Sequence, residues 1–163
     1  MHQPAMSPPR LIACAVDVAP DADPTIAEHI VDAAAAWAAP FGATLVLLHA
    51  SPPPPPLPAM HTGSEAAVEA FAGVWKAQHQ HVADALARLA ARATARGVTT
   101  TTRVVTEPGR LPDLLAQAAL DVGAQLLVVG SRSRRGLAHR LLGSVAERTA
   151  HLSHVPVLLL PPD

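Results

Sequence analysis

The residues whose types and spacing could bind a ligand are concentrated in one stretch of the sequence. Gly130 ends an apolar run, and Gly143-Ser144 stands directly before a helical pattern. A glycine at a strand end lets a ligand approach the backbone, and the N–H groups and dipole of a helix N-terminus favour an anion. A serine hydroxyl there adds a donor for a phosphate oxygen. These residues predict a phosphate site, but Ser144 could equally serve only as the helix cap, in a capping box with Glu147.

The segment between the two glycines is strongly basic. Its arginines could hold a triphosphate tail through charge-assisted hydrogen bonds, or compensate for Ser133 in the same segment. The simpler alternative is a solvated surface loop. The arginines concerned are Arg132, Arg134, Arg135 and Arg140.

The sequence offers no clear catalytic or metal-binding pattern. Of its nine histidines, His79 and His81 are neighbours, but residues two apart on a helix do not face each other. We interpret them as structural or solvated, and His49 as a packing residue. The chain also lacks a Gly-rich Walker loop with Lys-Ser/Thr and an evident nucleophile–base pair. We therefore expect no catalytic residues, no metal site and at most slow hydrolysis of a bound ligand.

Composition narrows the class of protein. A chain of 163 residues with 50% hydrophobic but only 2% aromatic residues predicts one domain whose core is packed from small side chains. A net charge of -1 gives no sign of a basic surface that would bind nucleic acid or acidic lipid. The single cysteine, Cys14, lies in an apolar run, which indicates a buried, inert thiol and a reducing compartment. No export signal or membrane-spanning run is visible, so we expect a cytoplasmic protein with neither a nucleic-acid nor a membrane partner.

Strand and helix patterns alternate along the whole chain. This alternation predicts a parallel sheet with helices on both faces, and in such sheets ligands bind beyond the carboxyl ends of the strands, where the winding direction reverses. Strands are predicted at residues 11–16, 44–50, 98–106, 125–129 and 155–160. Four helices are predicted. The first starts at Asp23-Pro24 and has an apolar stripe of Ile26, Ile30, Ala34 and Trp37. The second covers residues 64–96, with Val68, Phe71, Trp75, Val82, Leu86 and Leu89 on one face, and the other two start at Pro112 and at Ser144.

Two segments fall outside this alternation. Residues 1–9 hold three prolines without periodicity and predict a flexible tail before a single domain over residues 10–163. Residues 51–63 form a Pro-rich loop with six prolines between Pro52 and Pro58. Such a run adopts an extended polyproline conformation and makes a stiff spacer. The alternative is a docking ligand for a proline-recognising partner.

After Arg10 the sequence resembles the universal stress protein family over nearly its whole length. Nucleotide-binding members carry Gly, two residues, Gly, nine residues, then Gly followed by Ser or Thr. This chain has Gly130, two residues, Ser133, nine residues, then Gly143-Ser144. The other matching stretches are Ala15-Val16-Asp17, Leu47-Leu48-His49-Ala50, Thr106-Glu107-Pro108, Val145-Ala146-Glu147-Arg148 and Val155 to Leu160, although a glycine commonly stands where Thr106 is.

The resemblance implies a fold, a ligand and a site. The fold would be a five-stranded parallel α/β sheet in the order 3-2-1-4-5. The function would be a stress-response or regulatory protein that binds ATP, with or without Mg²⁺, forms a homodimer through its last strand and signals through an unidentified protein partner. Asp17 and the backbone near Ala15, Val16 and Ala50 would hold adenine and ribose, although Asp17 could also be only a turn residue. The ribose and phosphates would be lined by Val129, Gly130, Ser133, Gly143, Ser144 and Val145.

Ser133 is where the chain departs from the family pattern. If the backbone there needs a positive φ, a serine costs about 1–2 kcal/mol, or about tenfold in affinity. We therefore expect weakened rather than abolished binding. The departure favours a second interpretation, a nucleotide-free dimeric interaction protein of the same fold. A third, an enzyme of the broader adenine-nucleotide α-hydrolase-like group, would need a catalytic constellation that the sequence does not show.

Overall fold

The computed structural model describes residues 7–53, 65–131 and 143–161 of the chain. Most of the predicted tail and of the Pro-rich loop lie outside the described residues. So do Ser133 and the four arginines of the basic segment.

Five strands and four helices alternate along the described chain, with a short 3-10 turn at Ala39–Phe41. All strand pairs are parallel, and the sheet order is β3-β2-β1-β4-β5. The predicted fold class and strand order are therefore confirmed, and the predicted strand ends are correct to within two residues. The strands are β1 (Leu11–Ala15), β2 (Thr44–Ala50), β3 (Thr100–Val105), β4 (Leu126–Gly130) and β5 (Val157–Leu160); the helices are α1 (Pro24–Ala38), α2 (Glu65–Thr94), α3 (Leu111–Asp121) and α4 (Ser144–Leu152).

Alternating residues of each strand enter two separate cores. In β1, Ile12 and Cys14 pack with α1 and α2 on one face, whereas Ala13 and Ala15 pack with α3 and α4 on the other. This follows from the two-residue period of a strand and explains why the central strands are apolar on both faces. Cys14 is fully buried, as predicted, and burial raises the pKa of its thiol to about 12.

Helix α1 begins as the sequence predicts but presents a different stripe to the sheet. Asp23 is the N-cap, and its carboxylate accepts from the Thr25 N–H at 3.0 Å. The predicted burial of Trp37 is wrong, because its side chain is 49% exposed. Alanines shift the centre of the stripe away from Trp37, and their small side chains let the helix lie close to the sheet. The buried residues of α1 are Ala27, Ile30, Val31, Ala34, Ala35 and Ala38.

Only the second half of α2 packs against the sheet. Its buried residues run from Val82 to Ala93, whereas Val68 and Phe71, predicted to face the core, are exposed. Length explains the difference. A helix of 30 residues is about 45 Å long, but a strand of seven residues spans only about 23 Å. The helix therefore continues past the strands that could cover its apolar side.

An ion-pair cluster joins α2 to α1. The Nε and Nη2 of Arg92 donate to the two carboxylate oxygens of Asp32 at 2.7 and 2.8 Å. Arg96 lies 2.7 Å from Asp32 Oδ2, and Glu28 lies 3.4 Å from Arg92. The hydrogen bonds from Arg92 lower the pKa of Asp32, and partial burial opposes them.

The winding of the sheet reverses between β1 and β4. From β1 the chain moves outward to β2 and then β3, and then returns to place β4 on the other side of β1. The carboxyl ends of β1 and β4 therefore diverge into different connections, and the space between them is where a doubly wound sheet binds its ligands.

Candidate functional site

A cleft of about 570 Å³ opens at the carboxyl ends of β1, β2 and β4. It lies at the β1–β4 switch point, between α1 on one face of the sheet and the starts of α3 and α4 on the other. Its volume falls in the range of small-molecule sites, about 300–1,000 Å³. The fold thus provides a site of the right size at the position where the topology predicts one.

The structure brings nine of the ten predicted binding residues together in this cleft. Each lies at a strand end or at a helix start, as the sequence indicated. Ser133, the tenth, lies outside the described residues. The nine lining residues are Ala15, Val16, Asp17, Ala50, Val129, Gly130, Gly143, Ser144 and Val145.

Asp17 lies at the cleft with its side chain exposed. Its Oδ1 accepts from the Ala19 N–H at 3.2 Å, which makes it a turn residue. Turn formation and ligand binding are compatible, because a carboxylate has two oxygens and about four acceptor positions. The turn role anticipated as an alternative is therefore real and leaves the binding role open.

His49 is buried beside Asp17 at the end of β2. Its ring is only 5% exposed, and its Nδ1 lies 3.1 Å from the Val16 carbonyl oxygen and 3.4 Å from the Val18 nitrogen. The side chain also lines the cleft. It thus does more than fill space, since it connects the end of β2 to the loop that carries Asp17.

The predicted capping box at α4 is wrong. Gly143 is the N-cap and makes no side-chain cap, and Ser144 is the first helical residue. With Gly143 as the N-cap, in an extended backbone conformation (φ -61°, ψ 140°), the helix starts one residue earlier than it would if Ser144 were the cap. The Gly143 N–H donates to the Ser131 carbonyl at 2.9 Å, and the Glu147 N–H donates to the Gly143 carbonyl at 2.9 Å.

This helix start leaves amide donors at the cleft. Because the Gly143 carbonyl is the first acceptor in the helix, the N–H groups of Ser144, Val145 and Ala146 have no intrahelical partner. All three residues line the cleft. The arrangement is chemically suited to an anion, because the helix dipole adds to the amide donors.

Gly130 has a different reason for lacking a side chain from the predicted one. A Cβ at this position would lie 2.5 Å from Ile30 Cδ1, on α1. The missing side chain therefore makes room for the side chain of Ile30, which itself lines the cleft. Gly130 still borders the cleft, but its side-chain direction is occupied by the protein itself.

Much of the cleft wall was not predicted. Ser51 and Pro52 follow β2 directly and could have been found with the same strand-end rule that identified Ala50. Apart from His49, the remaining residues come from separate elements and carry no local signal, because only tertiary packing brings them to the cleft. Those residues are Ala19, Ala22, Asp23, Ile26, Ala27, Ile30, Gln78, Leu111, Leu115 and Ala146.

Within residues 7–53, 65–131 and 143–161, no group of three or more His, Cys, Asp or Glu side chains is placed to hold a metal ion. None of the described helices combines the length and the apolarity needed to cross a membrane.

Fold and cleft together define a doubly wound parallel α/β protein with its candidate site at the topological switch point. Within that class, the chain belongs to the universal stress protein family, whose model matches residues 10–161. No curated protein matches the sequence significantly.

Solved structures agree with the family assignment. A universal stress protein in complex with cAMP is 28% identical, with a TM-score of 0.63 over 94% of this chain and 98% of that chain. A universal stress protein family member from Burkholderia pseudomallei is 28% identical, with a TM-score of 0.59 over 94% and 96%. The Archaeoglobus fulgidus universal stress protein in complex with dAMP, 22% identical with a TM-score of 0.60 over 91% and 94%, shares the fold.

Proposed function

We propose that the cleft binds an adenine nucleotide, ATP in particular, and that the chain is an ATP-binding stress-response or regulatory protein. The proposal rests on two features that the structure brings together in one cleft. The Asp17 carboxylate lies just after the end of β1, and the N-terminus of α4, with its amide donors, borders the same space at the switch point. A carboxylate suits the base, and amides without an intrahelical partner suit phosphates.

Different parts of the cleft suit the base and the phosphates of the nucleotide. The Asp17 carboxylate can accept from the exocyclic amine of adenine, and apolar side chains such as Ile26 and Leu115 can cover the faces of the base. At α4, the amides of Ser144 and Val145 and the Ser144 hydroxyl can donate to phosphate oxygens. Each group of the nucleotide would thus meet a complementary group of the protein.

The charges that line the cleft leave the phosphates in need of positively charged or donor groups. Among the described lining residues, the carboxylates are Asp17 and Asp23, and no arginine or lysine is among them. A triphosphate would therefore depend on the α4 N-terminus and on the arginines of residues 132–142. Mg²⁺, if it accompanies ATP, would be held mainly by phosphate oxygens, as is common for this ion.

A related protein supports the ligand class. The universal stress protein of 28% identity was solved with cAMP, which is an adenine nucleotide. The step from adenine nucleotide to ATP rests on the glycine–serine motif at 130–144. A homodimer and a cytoplasmic location belong to the same proposal and remain predictions.

The second candidate function is a nucleotide-free interaction protein of the same fold. The observation that favours it is Ser133, which stands where nucleotide-binding members carry glycine. The two functions differ in whether the purified protein carries or binds a nucleotide at all. Mass spectrometry of small molecules released from the purified protein separates them, since bound ATP supports the first and an empty protein favours the second.

The role of Asp17 can be tested by calorimetric titration of ATP and GTP. We expect the wild type to prefer ATP, and Asp17→Ala to bind ATP more weakly with that preference reduced, because the change acts at the base. Asp21→Ala is the matched control, since Asp21 is exposed on the same loop and does not line the cleft. Equal ATP and GTP affinities in the wild type, or a preference that survives Asp17→Ala, would contradict the assignment.

A further inference from the structure

We propose that His49 is a positioning residue that sets the orientation of Asp17 in the cleft and thereby the preference for adenine. The inference rests on the proposed function for what Asp17 binds. His49 is the one buried histidine within the described residues, and neither the fold nor the proposed contacts to base and phosphates require an imidazole at this position.

Its location follows from where the β1–β2 pairing stops. The last ladder bond between the two strands runs from the Val16 N–H to the Leu48 carbonyl at 2.9 Å. Beyond it the chain leaves the sheet as the loop that carries Asp17. His49 is the next residue along β2, and its ring reaches back to that loop. The imidazole therefore replaces the backbone pairing that the diverging strands can no longer make.

The contacts of the ring lie on both sides of Asp17. Nδ1 is 3.1 Å from the Val16 carbonyl oxygen and 3.4 Å from the Val18 nitrogen. With a proton on Nδ1 the ring donates to Val16, and without one it accepts from the Val18 N–H. Either tautomer thus makes one hydrogen bond to a direct neighbour of Asp17.

The contacts of the His49 ring are buried, so they matter more than exposed hydrogen bonds would. His49, Val16 and Val18 are all buried, at 5, 5 and 6% exposure, so a hydrogen bond lost there is not readily replaced by water. Asp17 itself is exposed, and its direction depends on the backbone on either side of it. Removing the imidazole bond should therefore move the carboxylate, and base selection should change more than phosphate binding.

The test compares ATP with ITP, which differ at position 6 of the purine, where Asp17 would accept from the amine of adenine. We measure both dissociation constants for wild type, His49→Asn, His49→Gln and His49→Leu. An asparagine amide reaches about as far as Nδ1, whereas a glutamine amide reaches about as far as Nε2. We expect the preference for ATP to fall about three- to tenfold in the Leu and Gln variants, as for one lost hydrogen bond. In the Asn variant the preference should stay close to that of the wild type.

Two controls make the comparison specific. His81→Leu removes an exposed histidine of α2 that does not line the cleft and should leave the preference unchanged. In an Asp17→Ala background, His49→Leu should have no further effect on the preference, because the residue it positions is gone.

The outcomes separate this inference from the proposed function. If wild type prefers ATP and Asp17→Ala abolishes that preference, but His49→Leu or His49→Gln keeps it, the positioning role is overturned and the nucleotide site stands. If wild type binds neither nucleotide, both are overturned. If the variants do not fold, the imidazole ¹⁵N resonances of His49 in the wild type decide. They should respond differently to ATP and to ITP, and identical responses would overturn the role.

Discussion

A serine at a helix start can cap the helix or donate its hydroxyl to a phosphate. The position of the N-cap distinguishes these two roles for Ser144. Because Gly143 occupies that position, Ser144→Ala should not remove a helix cap and should leave the melting temperature nearly unchanged. If its hydroxyl donates to a phosphate, the same change should weaken ATP binding by about 1.5–3 kcal/mol. Thermal melts and calorimetric titration check the two expectations, and adenosine, which has no phosphates, is the control ligand. A melting-temperature loss of several degrees would contradict the assignment of the cap.

Gly130 and Ile30 should be coupled. Gly130→Ala places a Cβ 2.5 Å from Ile30 Cδ1, so that methyl group must move, and we expect a loss of unfolding free energy near the lower end of the about 1–3 kcal/mol typical of overpacking. Ile30→Val, which removes that methyl group, costs about 0.5–1.5 kcal/mol alone. The double variant should lose less than the sum of the two, as measured by urea unfolding. Simple additivity would show that Ile30 does not occupy the space beside Gly130.

The sequence could indicate which residues meet at the cleft, but not how each one contributes. Asp17 follows β1, whereas Ala50 and Gly130 end β2 and β4, and parallel topology brings such strand ends to one edge of the sheet. Whether Ser144 is the N-cap or the first helical residue depends on whether its own backbone is helical, which the local sequence pattern does not determine. The direction of Gly130 depends on where α1 crosses the sheet, which no local pattern encodes.

At the scale of the elements, periodicity predicted which side of a helix is apolar but not how much of that side is covered. Val82 and Leu86 in α2 are buried, whereas Val68 and Phe71, at the same helical spacing, are exposed. The difference is one of length, because α2 continues beyond the strands. Comparing the length of the helix with that of its neighbouring strands would have predicted this from the sequence.

The contact between α1 and α2 should depend on pH through Asp32. Hydrogen bonds from Arg92 lower its pKa in the folded state, so the ionised form stabilises the fold above the unfolded-state pKa of about 3.9. This contribution is lost as pH falls through the lowered, folded-state pKa. The difference in unfolding free energy between wild type and Asp32→Asn should therefore be present at pH 7 and small because both partners are partly solvated, and should vanish in acid.

Denaturant unfolding at a series of pH values measures this difference. In an Arg92→Gln background, Asp32→Asn should show a weaker dependence on pH, because the main cause of the shift has been removed. A difference that grew as pH fell would have the wrong sign for this ion pair.

At the scale of the molecule, the alternation of strand and helix patterns was sufficient to predict the sheet and its layers. The strand order came from the resemblance to a family, since alternation alone allows more than one winding. The alternation also does not determine the oligomeric state, and the homodimer was expected from the resemblance. β5 pairs only with β4 among the described strands, and its residues Val157, Leu158 and Leu159 are incompletely buried in the single chain.

We predict that the protein is a homodimer that pairs through β5, because an exposed apolar edge strand is an association site. Light scattering at micromolar concentration should give twice the mass of one chain. Val104→Lys, on β3 at the opposite edge of the sheet, should leave that mass unchanged. A monomeric mass for the wild type would contradict the prediction.

Calorimetric titration of ATP to millimolar concentration into wild type and Ser133→Gly tests whether the cleft at the β1–β4 switch point binds ATP. We predict saturable binding of one ATP per chain to the wild type. Ser133→Gly should bind about tenfold more tightly, because glycine relieves a backbone cost of about 1–2 kcal/mol if the position needs a positive φ. Failure of both proteins to bind ATP at millimolar concentration would contradict the claim and favour the nucleotide-free interaction protein.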